Sequence, residues 1–362
     1  MTEPLVERSS ALRRLRQVGK AMTTPLSPDD YLALINPLWS QRELRGRVEQ
    51  VVPETDNAAT LVIRPGWGWS FDHAPGQYIG IGVELDGRFH WRSYSLSSVP
   101  LVEGRTVSIT VKAMPEGFLS DHLVNGLEPG TIVRLATPQG DFVVPDPPPA
   151  AMLMLVGGSG ITPIMSILRT LDRRGTLPDV VLAYSARHRA DMMFHDELAE
   201  LADRVDGLTF LPRFTDDDGI LTPDQLDDVC PDWSRRTAWA CGPAPMLDAF
   251  STHYETHGRL DQLHVERFTL AVADSDAAGG TVTFGVGGPT VEVDGATTLL
   301  EAGEKAGINM LFGCRMGICH TCDVPLASGR VRDLRSGDEH GEPNEYVQTC
   351  ISVAAGDCTL SL

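Results

Sequence analysis

The chain has 362 residues, of which 42% are hydrophobic, and its formal net charge is −19. This length exceeds what a single core usually organises, so two or three domains are expected. The negative charge argues against nucleic-acid binding and is compatible with either an acidic docking surface or simple solubility. Neither a secretory signal nor an apolar run of about 20 residues is recognisable, which predicts a cytoplasmic protein.

Residues 1–40 are interpreted as an N-terminal extension. Leu5, Leu12, Leu15 and Val18 fall on one face of a possible helix that is flanked by arginines. Such a helix can rest on an acidic membrane surface or on a partner, which would bring the protein to the inner face of the membrane. A loosely held surface segment is the commoner alternative, because chain termini are often poorly ordered.

Residues 41–145 have the pattern of a small antiparallel β-barrel. Short candidate strands are separated by turn signals such as Pro-Gly and Asp-Gly. The strands are predicted at 44–52, 59–63, 77–83, 90–96, 107–112 and 131–136. One helix, predicted at 117–125, precedes the last strand.

Two motifs in this region can hold a phosphorylated ligand that carries a ring system. The run Arg92-Ser93-Tyr94-Ser95 offers a cation for a pyrophosphate, a ring for stacking and hydroxyls for hydrogen bonds. Gly117 and Ser120, in G-F-L-S, lie at a predicted helix N-terminus, where backbone N–H groups can bind phosphate. Without further context, R-S-Y-S is equally an ordinary edge-strand sequence.

A proline-rich joint at 145–149 separates the barrel from residues 146–270, where strands and helices alternate. The strands are predicted at 152–156, 180–184, 208–211 and 237–240. Helices are predicted from about Thr162, at 193–202 and at 246–257. This alternation predicts an α/β domain with a parallel sheet.

The first of these strands leads into the run Gly157-Gly158-Ser159-Gly160-Ile161-Thr162-Pro163. Glycines after a buried strand let the backbone approach a pyrophosphate, and the following helix favours negative charge. Thr162 is predicted as the N-cap and Pro163 as the first helical residue. The G-x-G-x-x-G pattern of an ordinary Rossmann domain is missing, and a merely structural tight turn is the alternative.

A second loop, Cys241-Gly242-Pro243, follows the strand predicted at 237–240. The carboxyl ends of strands in a parallel sheet face the ligand crevice, so the Cys241 thiol is a candidate for contact with a nicotinamide ring. The alternative interpretation is that Cys241 is a small buried hydrophobe.

Four cysteines cluster towards the C-terminus. Cys314, Cys319 and Cys322 form a C-x4-C-x2-C array, and Cys350 follows. This spacing is typical of a plant-type [2Fe–2S] cluster, whereas zinc sites usually pair two C-x2-C motifs. A set of unrelated buried thiols is the remaining alternative.

The cysteines lie in a compact C-terminal region, residues 281–362, which follows a small and acidic linker at 271–280. A hairpin, a helix and a final strand accompany them. They are predicted at 281–285 with 289–293, at 299–306 and at 358–362. This order fits a β-grasp ferredoxin domain.

The ordered motifs R-S-Y-S, G-F-L-S, G-G-S-G-I-T-P and C-G-P-A-P-M resemble those of the ferredoxin–NADP reductase superfamily. With the cysteine loop, residues from about 41 to 362 are similar to reductases that carry a C-terminal plant-type ferredoxin. Segments 26–40 and 64–69 further resemble actinobacterial electron-transfer partners of acyl-CoA desaturase.

The resemblance implies FAD, rather than FMN, in the barrel and a nicotinamide nucleotide on the α/β domain. The implied flavin-binding residues are Arg92, Ser93, Tyr94, Ser95, Gly117 and Ser120. The implied nucleotide-binding residues are Gly157, Gly158, Gly160, Thr162, Cys241, Gly242 and Pro243. The implied catalytic residues are Tyr94, Ser95 and Cys241.

The choice between NADPH and NADH depends on the segment after the second α/β strand. Ser185, Arg187 and Arg189 offer a hydroxyl and two guanidinium groups there, with no carboxylate at the strand end. A 2′-phosphate needs such cations, whereas a free 2′-OH favours Asp or Glu, so NADPH is expected rather than NADH. The alternative is that both arginines are solvated surface residues.

The expected activity is electron transfer from NADPH to FAD, to the [2Fe–2S] cluster and then to an oxygen-activating partner. The expected partner is a diiron membrane desaturase that acts on acyl-CoA. A reductase component of a ring-hydroxylating or other multicomponent oxygenase is one alternative. A flavin and iron–sulfur redox sensor is another.

Overall fold

The computed structural model describes residues 28–40, 44–69, 72–85, 88–100, 106–114, 118–268, 279–285, 287–295, 297–312, 317, 320–334 and 337–362. The extension up to residue 27, Gly117, Cys314, Cys319 and most of the predicted linker therefore lie outside the described residues. The strands form three separate sheets. No helix in the described ranges combines the length and apolar character that crossing a bilayer requires.

The first sheet is the predicted antiparallel barrel. Its six strands are β1 (Arg45–Thr55), β2 (Ala58–Pro65), β3 (Tyr78–Leu85), β4 (Arg88–Ser95), β5 (Val107–Lys112) and β6 (Ile132–Leu135). They lie in the order β4-β3-β6-β1-β2-β5. A bridge between Leu96 and Ile109 joins the two edge strands and closes the barrel. The six predicted strands are thus confirmed. Apolar residues that alternate along the strands, such as Leu61 and Ile81, fill the interior of the barrel.

Two helical pieces precede and interrupt the barrel. Helix α1 (Pro28–Ile35) leads through a 3-10 turn (Pro37–Trp39) to β1. The Asn36 side chain accepts a hydrogen bond from the Leu38 backbone N–H and caps that turn. The helix predicted at 117–125 is a single α-turn, α2 (Phe118–Asp121), followed by a wider turn (His122–Gly126).

The second sheet is the predicted parallel sheet. Its strands are β7 (Ala151–Gly157), β8 (Asp179–Ala186), β9 (Leu208–Phe214), β10 (Thr237–Cys241) and β11 (Leu263–Glu266). The helices around it are α3 (Ile161–Arg174), α4 (His195–Arg204), α5 (Thr215–Asp218), α6 (Leu226–Val229) and α7 (Ala244–Thr256). The spatial order is β11-β10-β7-β8-β9, so the chain reverses direction across the sheet between β7 and β10. Strand β11 was not predicted.

The predicted N-cap of α3 is wrong. Helix α3 begins at Ile161, with Gly160 as its N-cap, and Thr162 lies inside the first turn. The Thr162 hydroxyl donates to the Ser159 carbonyl oxygen at 3.0 Å, which ties it to the preceding 3-10 turn. At the other end Gly175 adopts φ +64°, the left-handed conformation that ends many helices.

The third sheet has the predicted β-grasp order. Its elements are β12 (Gly280–Phe284), β13 (Thr290–Val293), α8 (Leu299–Lys305), β14 (Asp323–Asp333), β15 (Glu339–His340), β16 (Tyr346–Gln348) and β17 (Ser352–Leu360). Strand β17 runs parallel to β12, which forms an antiparallel hairpin with β13. Strand β14 was not predicted, because Pro325 and Gly329 (φ +93°) imitate turn signals within it.

Hydrogen bonds from α3 fix the parallel sheet against the barrel. Ser166 Oγ donates to the Ser98 carbonyl oxygen at 2.7 Å, and Arg169 Nη1 donates to the Ser97 carbonyl oxygen at 2.6 Å. The Arg169 guanidinium also forms two bonds with the Glu197 carboxylate of α4. The end of β4 is therefore held at a set position beside α3.

Candidate functional site

Two loops with glycines meet where the strand order of the parallel sheet reverses. They are the loop after β7, at 157–160, and the loop after β10, at 241–243. A β-carbon at Gly160 would lie 2.0 Å from the Cys241 carbonyl oxygen, and one at Gly157 would lie 2.6 Å from Pro243 Cδ. Only glycine permits this approach. Because ligands of open α/β sheets bind at such a switch point, the two loops line a candidate ligand crevice.

The loop after β7 also presents a helix N-terminus. Gly158 has φ +54° with open space where a side chain would stand. No side chain caps α3, a helix of 14 residues. The Ile161 N–H donates to the Gly158 and Ser159 carbonyl oxygens, and Pro163 has no N–H, so an anion would be attracted by the positive end of the helix dipole and by the backbone of the glycine turn before it. This arrangement fits the pyrophosphate of a nicotinamide nucleotide.

The Cys241 side chain is completely buried. Burial and the neighbouring Glu266 carboxyl raise the pKa of its thiol well above the ordinary value, so the thiol is neutral near pH 7. These surroundings agree with the interpretation of Cys241 as a small buried hydrophobe. Its contact with a nicotinamide ring remains a prediction.

Glu266, which the sequence analysis did not select, lies beside Cys241. The two residues pair in register at the ends of β11 and β10. Burial raises the pKa of Glu266 to about 8, and the nearby Ser95 hydroxyl opposes this rise. Within the described chain, neither Glu266 Oε2 nor Ser95 Oγ makes a hydrogen bond of standard geometry. The end of the barrel strand β4 and the carboxyl edge of the parallel sheet therefore meet at these two residues.

Two hydroxyls of β4 fit a ligand with hydrogen-bonding edges. Ser93 Oγ, like Ser95 Oγ, is buried without a hydrogen-bond partner among the described residues. An unsatisfied buried hydroxyl costs about 1–3 kcal/mol, a cost that a bound heterocycle would remove. Among the described residues β4 pairs along its length with β3 alone, and the bridge from Leu96 to Ile109 lies beyond its last residue, so a ligand can lie along its other edge.

The other predicted flavin-binding residues offer a ring and a cation. Tyr94 is half-buried, and burial raises its pKa to about 12, so its phenol is neutral. Arg92 is exposed on the same face of β4, where it donates to the Trp91 carbonyl oxygen at 2.8 Å. Ser120 Oγ accepts a hydrogen bond from the Met114 backbone N–H at 3.1 Å, which holds α2 near the end of β5. A stacking ring beside a phosphate-binding cation fits a flavin nucleotide.

Charged residues of both signs surround the end of β8, since Asp216 Oδ2 lies 3.2 Å from His188 Nε2 and the Asp216 backbone N–H donates to the Arg187 carbonyl oxygen. Ser185 lies in the strand, and the exposed Arg187 follows it. Arg189 pairs with Asp196 at 3.0 Å, which offsets its charge. Arg213, which sequence reasoning missed, lies across from Ser185 in β9 and donates to the backbone carbonyl oxygens of Asp218 and Gly219 at the end of α5. Only the strand register brings Arg213 to this site.

Two of the four predicted metal ligands are described, and both are buried. Cys322 precedes β14, and Cys350 follows its partner strand β16. Thr349 Oγ1 donates to the Cys322 carbonyl oxygen at 3.0 Å, which holds the two cysteine segments together. A β-carbon at Gly317 (φ +69°) would lie 2.4 Å from Ile351 Cδ1, so the cysteine loop returns beside Cys350. Two soft thiolate donors on adjacent segments fit an iron–sulfur cluster.

Three family models match consecutive parts of the chain. They are an oxidoreductase FAD-binding domain at 67–144, an oxidoreductase NAD-binding domain at 154–252 and a 2Fe-2S iron-sulfur cluster binding domain at 285–355. The cofactors are therefore FAD, a nicotinamide nucleotide and a [2Fe–2S] cluster. The zinc alternative and the alternative of unrelated thiols are thereby removed.

Known proteins resemble the chain over most of its length. An NADPH oxidoreductase of Mycobacterium tuberculosis (strain ATCC 25618 / H37Rv) is 54% identical over 358 residues, covering 98% of this chain and 94% of that protein. A glycine betaine monooxygenase reductase subunit of Pseudomonas aeruginosa (strain UCBPP-PA14) is 29% identical, covering 90% and 98%. The solved structure of phthalate dioxygenase reductase shares the fold, with a TM-score of 0.57 at 21% identity, covering 88% of this chain and 98% of that protein.

Replacement of Gly160 by alanine should weaken nucleotide binding. The new β-carbon would lie 2.0 Å from the Cys241 carbonyl oxygen and would push the two loops apart. We expect the affinity for NADP⁺, measured by calorimetric titration, to fall about tenfold or more, in line with the usual cost of overpacking. Gly175→Ala, at the far end of α3, is the control: it strains a left-handed residue but should leave the affinity unchanged. Equal affinities for Gly160→Ala and the parent protein would contradict this assignment.

Glu266→Gln should flatten the pH dependence of stability. The pKa of Glu266 in the folded protein, about 8, exceeds its ordinary value of 4.5, so unfolding releases a proton between these two values. Stability conferred by the neutral carboxyl is therefore lost as the pH rises through this window. Between about pH 5 and pH 8 the thermal midpoint of the parent protein should fall more than that of Glu266→Gln, by roughly 2 °C or more.

The control for this measurement is Glu255→Gln, since Glu255 is exposed at the end of α7. Its thermal midpoint should follow that of the parent protein across the pH range. Parallel curves for Glu266→Gln and the parent would show that the Glu266 carboxyl is ionised in the folded state.

Proposed function

This chain belongs to the ferredoxin–NADP reductase family whose members carry a C-terminal [2Fe–2S] domain, and from that premise we propose that it delivers electrons from NADPH to an oxygen-activating partner. When bound, FAD takes two electrons from the nicotinamide and the cluster passes them on singly. The observation that carries the proposal is the meeting of Ser95 and Glu266, because it brings the flavin strand to the carboxyl edge of the nucleotide sheet.

Different residues of this chain would bind and orient the flavin and the nicotinamide nucleotide. Ser93 and Ser95 would hydrogen-bond the flavin, Tyr94 would stack on its ring, and Arg92 with Ser120 would hold its phosphates. The loops at 157–160 and 241–243, with Thr162 inside α3, would hold the nucleotide at the α3 N-terminus. Glu266, neutral near pH 7, would add no charge to the junction.

The acceptor that we propose is a diiron membrane desaturase acting on acyl-CoA. The segments at 26–40 and 64–69 resemble those of desaturase electron-transfer partners, and they pack together here. Trp39 stacks on Trp67 with ring centroids 5.1 Å apart, and the Trp67 backbone N–H donates to the Leu38 carbonyl oxygen at 2.8 Å. Because both segments contribute to one surface, their resemblance to desaturase electron-transfer partners supports an acceptor of the same kind. We propose that the protein works in the cytoplasm, at the inner face of the membrane.

A second candidate is the reductase component of a ring-hydroxylating or other multicomponent oxygenase. It is favoured by the relative described as a glycine betaine monooxygenase reductase subunit, which covers 90% of this chain at 29% identity. A redox sensor is disfavoured by the combination of a nucleotide-binding domain with two further cofactor-binding domains, which suits turnover.

Cys350→Ser should separate the reduction of the flavin by NADPH from the later electron transfer through the cluster. Loss of one thiolate should abolish the visible cluster absorbance and the reduction of cytochrome c, while NADPH should still bleach the flavin. With membranes that contain an acyl-CoA desaturase, the parent protein should support NADPH-dependent desaturation, and Cys350→Ser should not. Activity with a ring-hydroxylating oxygenase but not with the desaturase would favour the second candidate.

The matched control is Cys358→Ser, in the same domain. Cys358 is equally buried, and burial raises its pKa to about 11, but it is not a predicted ligand. This variant should keep the cluster absorbance and the transfer to cytochrome c. Loss of the cluster in Cys358→Ser as well would overturn the assignment of Cys350. Slow NADPH turnover by the parent protein with every acceptor would instead indicate a sensor.

Arg187→Glu should reduce the preference for NADPH over NADH. The exposed guanidinium at the end of β8 would contact the 2′-phosphate, and one charge-assisted hydrogen bond corresponds to about tenfold in affinity. The ratio of kcat/KM for NADPH to that for NADH should therefore fall about tenfold. Arg174→Glu, which alters an exposed arginine at the end of α3, should leave this ratio unchanged. An unchanged ratio for Arg187→Glu would mean that Arg187 is a solvated surface residue.

A further inference from the structure

A buried tyrosine contacts the turn that follows β7. Tyr184 of β8 is completely buried, and it pairs in register with Val156, which lies two residues before Gly158. From this position the Tyr184 hydroxyl reaches past the end of β7 and donates to the Gly158 carbonyl oxygen at 3.1 Å. A side chain in the core of the parallel-sheet domain is therefore bonded to the backbone of the loop at 157–160.

The surroundings of this phenol favour a lasting hydrogen bond. Burial raises the pKa of Tyr184 well above its ordinary value, although the nearby Met193 backbone opposes this rise. The hydroxyl therefore keeps its proton and remains a donor at neutral pH. In the low-dielectric interior such a bond is stronger than it would be at the surface.

The bond from Tyr184 determines which way one peptide of the turn faces. The Gly158 carbonyl oxygen has a second donor, the Ile161 N–H, but that N–H is shared with the Ser159 carbonyl oxygen. In a trans peptide the N–H points away from the C=O. Because Tyr184 holds the Gly158 carbonyl towards the core, the Ser159 N–H of the same peptide points out of the core.

We propose that Tyr184 is a positioning residue for the pyrophosphate of the nicotinamide nucleotide. Gly158 adopts φ +54°, and a β-carbon there would meet nothing within 4 Å, so little else restrains a residue that is intrinsically permissive. If the peptide rotated, its carbonyl oxygen would face the pyrophosphate and repel it, whereas the Ser159 N–H attracts it. The proposal rests on the function proposed above, in which the loop at 157–160 binds the nucleotide.

The test is Tyr184→Phe, which removes the hydroxyl and keeps the ring that fills the core. We expect the affinity for NADP⁺, measured by calorimetric titration, to fall about fivefold, the effect of one hydrogen bond. In turnover with cytochrome c, the KM for NADPH should rise by a similar factor and kcat should stay unchanged, because the loop binds the ground state and the transition state alike.

A comparison of the two nucleotides locates the effect on the ligand. NADPH and NADH share the pyrophosphate, so Tyr184→Phe should lower kcat/KM for both by the same factor. The preference for NADPH over NADH should therefore remain that of the parent protein, in contrast to Arg187→Glu. A changed preference would place the effect at the 2′-phosphate and overturn the assignment to the pyrophosphate.

Tyr254→Phe is the matched control. Tyr254, in α7 of the same domain, is also completely buried, but within the described chain its hydroxyl makes no hydrogen bond of standard geometry. This variant should bind NADP⁺ like the parent protein.

The proposal is overturned if Tyr184→Phe binds NADP⁺ as tightly as the parent, or if Tyr254→Phe loses as much affinity. A lower thermal midpoint of Tyr184→Phe with unchanged affinity would likewise overturn it, since Tyr184 would then only stabilise the core. A parent protein that does not bind NADP⁺ would instead refute the proposed function, and the role of Tyr184 with it.

Discussion

The hydrogen bonds that α3 makes to the backbone after β4 set the geometry on which both nucleotide sites depend. Ser166 and Arg169 donate to consecutive carbonyl oxygens, those of Ser98 and Ser97. Arg169 is itself immobilised, because its guanidinium binds the Glu197 carboxylate and lies 4.9 Å from the centroid of the Phe194 ring. A charged donor with this many partners can hold a carbonyl oxygen at a set distance. The position of Ser95 relative to the parallel sheet follows from this contact.

In the function proposed above, one helix would serve two cofactors at different points along its length. The start of α3 would face the nucleotide, and Arg169, eight residues after Ile161, holds the barrel about 12 Å further along the helix axis. Since a helix is stiff over this distance, we expect the loop at 157–160 and strand β4 to keep a fixed separation. The contact between Gly160 and the Cys241 carbonyl oxygen then fixes the second loop in the same frame.

The sequence contained the local parts of this arrangement, whereas the contacts between parts came only from the structure. The glycine loops, the four thiols and the barrel strands are written in short runs of neighbouring residues, so pattern and spacing predict them. Glu266 and Arg213 reach the site only through strand register with Cys241 and Ser185. The predicted N-cap of α3 was wrong. Thr162 has the right chemistry for a cap, but the 3-10 turn that begins at Gly158 leads directly into the helix, which therefore starts earlier. A local sequence pattern encodes neither the pairing of strands that are distant in sequence nor small shifts in the residue at which a helix begins.

The distribution of unsatisfied polar atoms links the stability of the protein to its cofactors. Ser95 Oγ and Glu266 Oε2 are buried where the barrel meets the parallel sheet, and Ser93 Oγ is buried two residues before Ser95; within the described chain none of the three makes a hydrogen bond of standard geometry. Each such group destabilises the folded state by about 1–3 kcal/mol, so their concentration in one place is costly unless a ligand pairs with them. A ligand that binds only the folded state stabilises it in proportion to the logarithm of its concentration. Because these atoms lie between the barrel and the parallel sheet, flavin binding would stabilise the junction of the two domains as well as the barrel alone.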